Sequence, residues 1–138
     1  MARVSIVIPT RNAGPAFEDT LRAIAAQDLG EPYEVVVIDS GSTDGTPELA
    51  RRHGARVMSI DPTEFGHGRT RNAAIGTCAG EFVLLTVQDA VPADGRWLSA
   101  LVGAMDEHPD AAGAYSRCLP RREAGFVERY LATREERT

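Results

Sequence analysis

Residues 35–46 of the sequence read Val-Val-Val-Ile-Asp-Ser-Gly-Ser-Thr-Asp-Gly-Thr. Four β-branched residues in a row favour a strand that is buried on both faces, as in a parallel sheet. From Asp39 the sequence turns to small polar residues and glycines, which favour a loop. Thr46 followed by Pro47 then favours the beginning of a helix, with Thr46 as its cap. A strand, a loop and a helix in this order indicate a βαβ unit.

Three further apolar runs lie on either side of this stretch, at residues 3–9, 81–87 and, more weakly, 55–60. Helical patterns separate the runs, at residues 15–24, 46–53 and 69–79. A last helix is expected after Asp94 as its cap, with an apolar stripe that belongs to the core: Trp97, Leu98, Leu101, Val102 and Met105. Strands that alternate with helices predict a three-layer αβα fold with a mostly parallel, Rossmann-like sheet. The apolar run at 82–87 is expected to be a central strand of that sheet.

Length and composition allow one globular domain, since the chain has 138 residues, of which 43% are hydrophobic and 25% charged. No apolar run approaches the roughly 20 residues of a membrane span, and no signal-peptide pattern is present, so we expect a cytoplasmic protein.

Cys78 and Cys118 have neither metal-ligand nor redox spacing, and two buried thiols are favoured over a disulfide.

The charged residues exclude several function classes. The formal net charge is −5, and all fifteen basic residues are arginine. Without lysine there is no Walker-type phosphate loop, no pyridoxal Schiff base and no lysine nucleophile. The net acidity argues against nucleic acid as a partner. Five arginines between residues 117 and 134 either form an exposed face or a local basic site.

Polar residues follow three of the predicted strands, at residues 10–12, 39–42 and 88–90. In a parallel sheet these positions meet at the carboxyl edge, where ligands bind. Asp39 either accepts hydrogen bonds from a ribose or a base, or is part of an ordinary turn. Asp89 either binds a divalent cation that bridges a diphosphate, or lies in the loop that leads to the next helix.

Residues 66–72, Gly-His-Gly-Arg-Thr-Arg-Asn, place flexible backbone and two arginines at the beginning of a helix, a combination that attracts phosphate. This stretch is not a dinucleotide fingerprint, because Arg71 stands where the third glycine belongs and residues 61–64 are not a strand. His67 is a proton carrier, a phosphate contact or a loop residue.

Together these stretches resemble the N-terminal, nucleotide-sugar-binding part of family 2 glycosyltransferases, which have the GT-A fold. The resemblance rests on residues 4–12, 35–46, 68–72 and 80–89, in this order. It implies a nucleoside diphosphate sugar as ligand and a nucleotide-binding set that consists of Pro9, Thr10, Arg11, Asn12, Asp39, Ser40, Ser42, Asp44, Arg71 and Gln88. It also implies Asp89 as the ligand of a Mg²⁺ or Mn²⁺ ion.

Two departures from the family pattern matter. The metal motif is usually Asp-x-Asp, whereas Gln88-Asp89-Ala90 has one carboxylate. Residues 64–72, 86–92 and 113–121 resemble the rhamnosyltransferase-like branch, which implies a dTDP-rhamnose donor. The family's catalytic base lies in a C-terminal half that is absent here, so no catalytic residue is assigned. We therefore expect a nucleotide-sugar-binding domain at 1–120 and a short charged helix within 121–138, from Gly125 to about Arg137.

The leading hypothesis is the donor-binding part of an inverting transferase for cell-surface polysaccharide, located in the cytoplasm or at the inner face of the membrane. Its acceptor, a glycan or a lipid, is not identified by the sequence. The alternative is a module that binds a nucleotide sugar without transfer. A nucleotidyltransferase is disfavoured, because residues 10–15 have too few glycines for its phosphate loop. An exposed sheet edge would allow a homo-oligomer.

Overall fold

The computed structural model describes residues 1–121 and 123–125. The helix predicted from Gly125 to about Arg137 lies, from residue 126 on, outside the described residues, and the division of the chain at residue 120 stays a prediction. The elements along the chain are β1 (Val4–Thr10), α1 (Phe17–Ala25), β2 (Tyr33–Asp39), α2 (Thr46–Arg52), β3 (Arg56–Ser59), a 3₁₀ turn (Pro62–Glu64), α3 (His67–Ile75), β4 (Phe82–Leu85) and α4 (Trp97–Glu107).

The four strands form one parallel sheet in the order β3-β2-β1-β4. β1 pairs with β2 over its whole length, from Val4 opposite Tyr33 to Thr10 opposite Asp39. β1 also pairs with all of β4, beginning with Val4 opposite Phe82. The carboxyl ends of β1, β2 and β4 therefore lie at one edge of the sheet, as the sequence predicts.

Helices cover both faces of the sheet, which confirms the three-layer αβα prediction. On one face, Ile6 and Ile8 of β1 pack in a buried cluster that includes residues of α1, α2 and α4. On the other face, Val7 and Val36 pack with Ala74 of α3. Alternate residues of β1 point to opposite faces, so a strand covered on both sides must be apolar almost throughout.

β4 departs from its prediction in length and in position. It ends at Leu85 instead of residue 87, and it is the edge strand of the described sheet instead of a central strand. Leu85 is 45% exposed and Val87 is 42% exposed. The reason is that the described chain supplies no strand beyond β4, so the apolar residues on that side have no strand to pack against.

The apolar stripe of α4 is only partly core. Leu98 and Val102 are buried, whereas Trp97, Leu101 and Met105 are half-buried. These three line a groove of about 600 Å³ that α4 forms with β4 and residues 112–116. The groove lies along the open side of β4.

Two predicted helix caps are wrong by one or two residues. Gly45, at φ 82°, is the N-cap of α2, and Thr46 is its first residue. A left-handed φ is strained for residues with a side chain, so glycine takes the cap and Asp44 accepts the Thr46 N–H instead. α4 is capped by Arg96, whose N–H donates to Asp94 at 2.8 Å.

The cysteines are both free, with Cys78 half-buried and Cys118 exposed. The absence of a disulfide agrees with the prediction, but Cys118 is not buried, because it lies in an exposed stretch without regular secondary structure. Within the described residues, none of the helices has the length and hydrophobicity that a membrane span requires.

Gly80, just before β4, should tolerate no side chain. A Cβ at this position would lie 2.5 Å from the Ser5 nitrogen and 2.7 Å from the Val4 carbonyl carbon. Because these are backbone atoms of the central strand, we expect Gly80→Ala to lower the free energy of unfolding by about 1–3 kcal/mol, measured by urea denaturation. Gly103→Ala in α4 is the matched control, since no atom lies within 4 Å of its Cβ. Equal stabilities of the two variants would contradict the packing described here.

Candidate functional site

The loops that follow β1, β2 and β4 meet at the carboxyl edge of the sheet, where the sequence predicts the site. The first two are joined at their base, because Ser40 donates both its N–H and its hydroxyl to the Thr10 carbonyl, at 3.0 and 3.1 Å. Thr10 and Ser40 are themselves buried. The three polar segments are thus one structural unit rather than three separate turns.

Side chains from the other two loops hold the loop after β1. The backbone N–H groups of four consecutive residues, 11–14, each donate to a side-chain oxygen. The acceptors, in chain order of the donors, are Gln88 Oε1 at 3.0 Å, Ser42 Oγ at 2.8 Å, Thr46 Oγ1 at 3.0 Å and Asp44 Oδ2 at 2.9 Å. We call this set the amide clamp. A phosphate loop needs free amides, so the clamp argues further against a nucleotidyltransferase.

Asn12 completes the contact between the first two loops. It has a left-handed backbone with φ 44°, and its Oδ1 accepts the N–H of Thr43 at 2.8 Å. Asparagine adopts this conformation more readily than most residues, which explains why it suits this position. Arg11 and Asn12 are exposed at this edge, while Pro9 is half-buried within β1.

Asp39 is buried, with 3% of its surface exposed. Its carboxylate accepts hydrogen bonds from the Thr10 hydroxyl at 3.0 Å, from the N–H groups of Gly41 and Ser42 at 3.2 and 2.8 Å, and from the Ser42 hydroxyl. Two carboxylate oxygens offer about four acceptor positions, so three donors of the loop and the Thr10 hydroxyl of β1 occupy them. In the structure, Asp39 therefore fixes the loop after β2, and its predicted contact with a ribose or a base stays a prediction.

Asp44 is exposed but held by three hydrogen bonds. It accepts from the N–H groups of Gly14 and Thr46 and from the Thr46 hydroxyl, the last at 2.6 Å. The bond from the Thr46 hydroxyl, above all, lowers the pKa of the Asp44 carboxyl below its ordinary value. The ionised form of Asp44 is thus the form that the amide clamp uses.

Gln88 joins the loop after β4 to the loop after β1. Its side-chain amide accepts the Arg11 N–H at 3.0 Å and donates to the Arg11 carbonyl at 3.5 Å. Its own carbonyl accepts the hydroxyl of Thr20 on α1 at 3.0 Å. Gln88 thereby continues the pairing of β1 with β4 beyond the ends of both strands.

Asp89, the predicted metal ligand, is exposed next to Gln88. The described residues contain no cluster of three or more His, Cys, Asp or Glu side chains that could form a complete metal site. One exposed carboxylate still suits Mg²⁺ or Mn²⁺, because such hard ions are often bound by one or two carboxylates together with phosphate oxygens of the substrate. The donor set at Asp89 therefore fits an ion that arrives with a diphosphate.

The segment before and within α3 lies beside the loop after β2. Pro62 contacts Gly41 so closely that a Cβ on Gly41 would lie 2.5 Å from Pro62 Cγ. Residues 62–64 form a 3₁₀ turn, which confirms the prediction that this segment is not a strand. The ring of His67 packs edge-on against Phe65, with 5.1 Å between the centroids. Arg71 is half-buried, and its Nε has no hydrogen-bond partner among the described residues, so its contact with a diphosphate stays a prediction.

Three residues of this edge were missed by the sequence analysis as parts of the site. Thr20 gives no signal, because a threonine within a helix is unremarkable by pattern. Thr46 was read as a helix cap, and its hydroxyl instead serves the amide clamp. Arg121 was one of five arginines left open between an exposed face and a basic site, and its Nη2 donates to the Asp89 carbonyl at 3.2 Å.

The sequence profile described as "Glycosyl transferase family 2" matches residues 5–134. The O-antigen chain rhamnosyltransferase RfbN of Salmonella typhimurium is 36% identical over 124 residues, which cover 88% of this chain and 39% of RfbN.

Solved structures show the same relationship. Residues 1–349 of S. aureus TarS in complex with UDP-GlcNAc match with a TM-score of 0.70 and 29% identity, over 88% of this chain and 37% of that one. The mannosyltransferase PcManGT of Pyrobaculum calidifontis, in complex with GDP-Man and Mn²⁺, matches with a TM-score of 0.66 and 31% identity, over 96% of this chain and 38% of that one. These matches confirm the GT-A fold, and this chain spans about 39% of the length of RfbN.

The amide clamp should weaken in acid. A carboxyl whose folded-state pKa is lowered stabilises the fold above its unfolded pKa, about 3.9 for aspartate, and this contribution is lost as the pH falls through the lowered value. We therefore expect the difference in melting temperature between wild type and Asp44→Asn to be larger at pH 7 than at pH 3. The control is Glu48→Gln, which removes an exposed carboxylate of α2 that forms an ion pair with Arg51 at 3.6 Å. Its melting temperature should change with pH as that of the wild type does. A difference for Asp44→Asn that does not change with pH would contradict this role.

Proposed function

Since this chain belongs to glycosyltransferase family 2, we propose that it binds the nucleoside diphosphate sugar of an inverting transferase, with dTDP-rhamnose as the donor. The observation that carries the proposal is the joining of the loops after β1, β2 and β4 at the carboxyl edge, with the exposed Asp89 carboxylate beside them. The similarity to RfbN supports rhamnose as the sugar. The acceptor belongs to a cell-surface polysaccharide in this proposal, and the chain acts in the cytoplasm.

The site residues divide into two roles. The first role is to hold the three loops in place, and it falls to Asp39, Ser42, Asp44 and Gln88, whose side chains are hydrogen bonded to them. The exposed side chains of Arg11 and Asn12, with Pro9, Thr10 and Ser40 behind them, then line the surface that meets the base and the ribose. Arg71, from α3, completes the nucleotide-binding set on the diphosphate side.

Asp89 is the metal ligand in this proposal, for Mg²⁺ or Mn²⁺. PcManGT, which shares the fold, is in complex with Mn²⁺ and GDP-Man, and this supports the assignment. When bound, such an ion supplies positive charge to the diphosphate that leaves. Asp89 suits the task because its carboxylate is exposed, whereas those of Asp39 and Asp44 are engaged in the loops.

A second candidate, binding without transfer, is favoured by the same observation. An inverting transferase needs a carboxylate to remove the proton from the acceptor hydroxyl as that oxygen attacks the anomeric carbon. In the described loops that follow β1 and β2, the carboxylates of Asp39 and Asp44 are already hydrogen bonded, and Asp89 is needed for the ion. Release of dTDP from dTDP-rhamnose in the presence of acceptor would distinguish transfer from binding alone.

The donor-binding proposal predicts a specific pattern of thermal stabilisation. We expect dTDP with Mn²⁺ to raise the melting temperature more than UDP, GDP or CDP do, and more than dTDP with EDTA. A ligand at 100 times its dissociation constant adds about 2.7 kcal/mol, which is several degrees for a domain of this size. If no nucleotide shifts a cooperative melting transition, the donor-binding proposal fails.

Asp89→Asn should remove the effect of the metal and leave the fold intact. The substituted carboxylate is exposed and makes no hydrogen bond within the described residues, so the melting temperature without ligand should not change. We expect the variant to bind dTDP equally well with Mn²⁺ and with EDTA, measured by titration calorimetry. Asp110→Asn, which removes an exposed carboxylate just after α4, is the matched control. An undiminished Mn²⁺ effect in Asp89→Asn would show that the ion binds elsewhere.

A further inference from the structure

The stretch after α4, residues 108–121, ends beside the loop that follows β4. Residues 108–121 have no helix or strand, and most of them are exposed. At the end of this stretch, the Arg121 guanidinium donates from Nη2 to the Asp89 carbonyl at 3.2 Å. An arginine 32 residues further along the chain thus contacts the backbone of the proposed metal ligand.

The contact leaves the charge of Arg121 available. A guanidinium has five N–H donors, and the bond to Asp89 uses one of them. Within residues 1–121 and 123–125, no carboxylate forms an ion pair with Arg121, and Asp89 itself meets the guanidinium through its carbonyl. The guanidinium of Arg121 therefore contacts the backbone of the residue that carries the exposed carboxylate, and no ion pair between the two side chains is formed among the described residues.

We propose that Arg121 is a phosphate-binding residue of the donor site, which contacts the diphosphate while Asp89 holds the ion. The proposal rests on the proposed function above. The charges support it. A divalent ion held by a single carboxylate keeps only one net positive charge, and the negative charge of a diphosphate is larger than that. Arginine also matches phosphate oxygens in geometry, since its planar guanidinium donates two parallel hydrogen bonds.

The position of Arg121 favours a contact with the diphosphate over a contact with the base. The base and the ribose are assigned to the loops after β1 and β2, whereas the Arg121 side chain donates to the loop after β4, at the residue that would hold the ion. An ion held by Asp89 would bring the phosphates that it binds close to this residue, where the Arg121 guanidinium donates.

The test compares a nucleoside with its diphosphate in the full 138-residue chain. Thymidine and dTDP, and uridine and UDP, are titrated into the wild type, Arg121→Ala and Arg121→Lys, with Mn²⁺ present, and followed by NMR chemical shifts. We expect Arg121→Ala to weaken the diphosphate about tenfold or more and the nucleoside hardly at all, because only the phosphates lose a charge-assisted hydrogen bond. Arg121→Lys should recover part of the loss, since it restores the charge but not the planar pair of donors.

Arg52→Ala is the matched control, because it removes an exposed arginine at the far end of α2 and changes the net charge equally. Wild-type affinity for the diphosphate in Arg121→Ala would overturn the phosphate role and leave donor binding standing. An equal loss of nucleoside and diphosphate would also overturn it, because Arg121 would then shape the pocket instead. If the wild type binds neither dTDP nor UDP, donor binding fails, and the role of Arg121 fails with it.

Discussion

Four consecutive backbone N–H groups, those of residues 11–14, find their acceptors in side chains of two other loops. Each of these hydrogen bonds joins two separate segments of the chain, so the position of each loop at the carboxyl edge depends on the others. This dependence explains why the sequence after β2 consists of small residues with oxygen-bearing side chains. Short side chains with an oxygen can accept these hydrogen bonds and still allow the loops to pack closely, as Ser42, Asp44 and Thr46 do. A site of this kind is formed before any ligand arrives.

The strands, and the meeting of the polar loops at the carboxyl edge, could be predicted from the sequence, because both follow from the residue types along short stretches of chain. Apolar runs indicate strands covered on two faces, and polar residues after them indicate the carboxyl edge. The partners within the site could not be predicted. A pattern cannot show that Asp39 accepts hydrogen bonds from its own loop and from Thr10, or that Arg121 contacts Asp89, because both facts depend on distances in the folded chain. The edge position of β4 was missed for a similar reason, since a strand's neighbours are set by topology and not by its own composition.

The structure keeps two surfaces of different character apart. The carboxyl edge is polar, and its side chains are held by one another. The side of β4 is apolar, and its groove of about 600 Å³ runs between that strand, α4 and residues 112–116. The first surface therefore keeps its polar groups in a fixed arrangement. The second surface exposes apolar side chains of the kind that normally lie in a protein core. It does not contribute to the site at the carboxyl edge.

The strand order β3-β2-β1-β4 also governs how the chain reaches this structure. β1 precedes the other described strands in the chain and lies between β2 and β4, the second of which begins only at Phe82. Pairings between residues so distant in sequence raise the contact order and slow the search for the native topology. On the ribosome, β1 and β2 are able to pair early, but the central strand keeps one open side until β4 has emerged. The backbone N–H and C=O groups along that edge of β1 therefore stay unpaired during this interval, and such an edge is prone to pair with other chains.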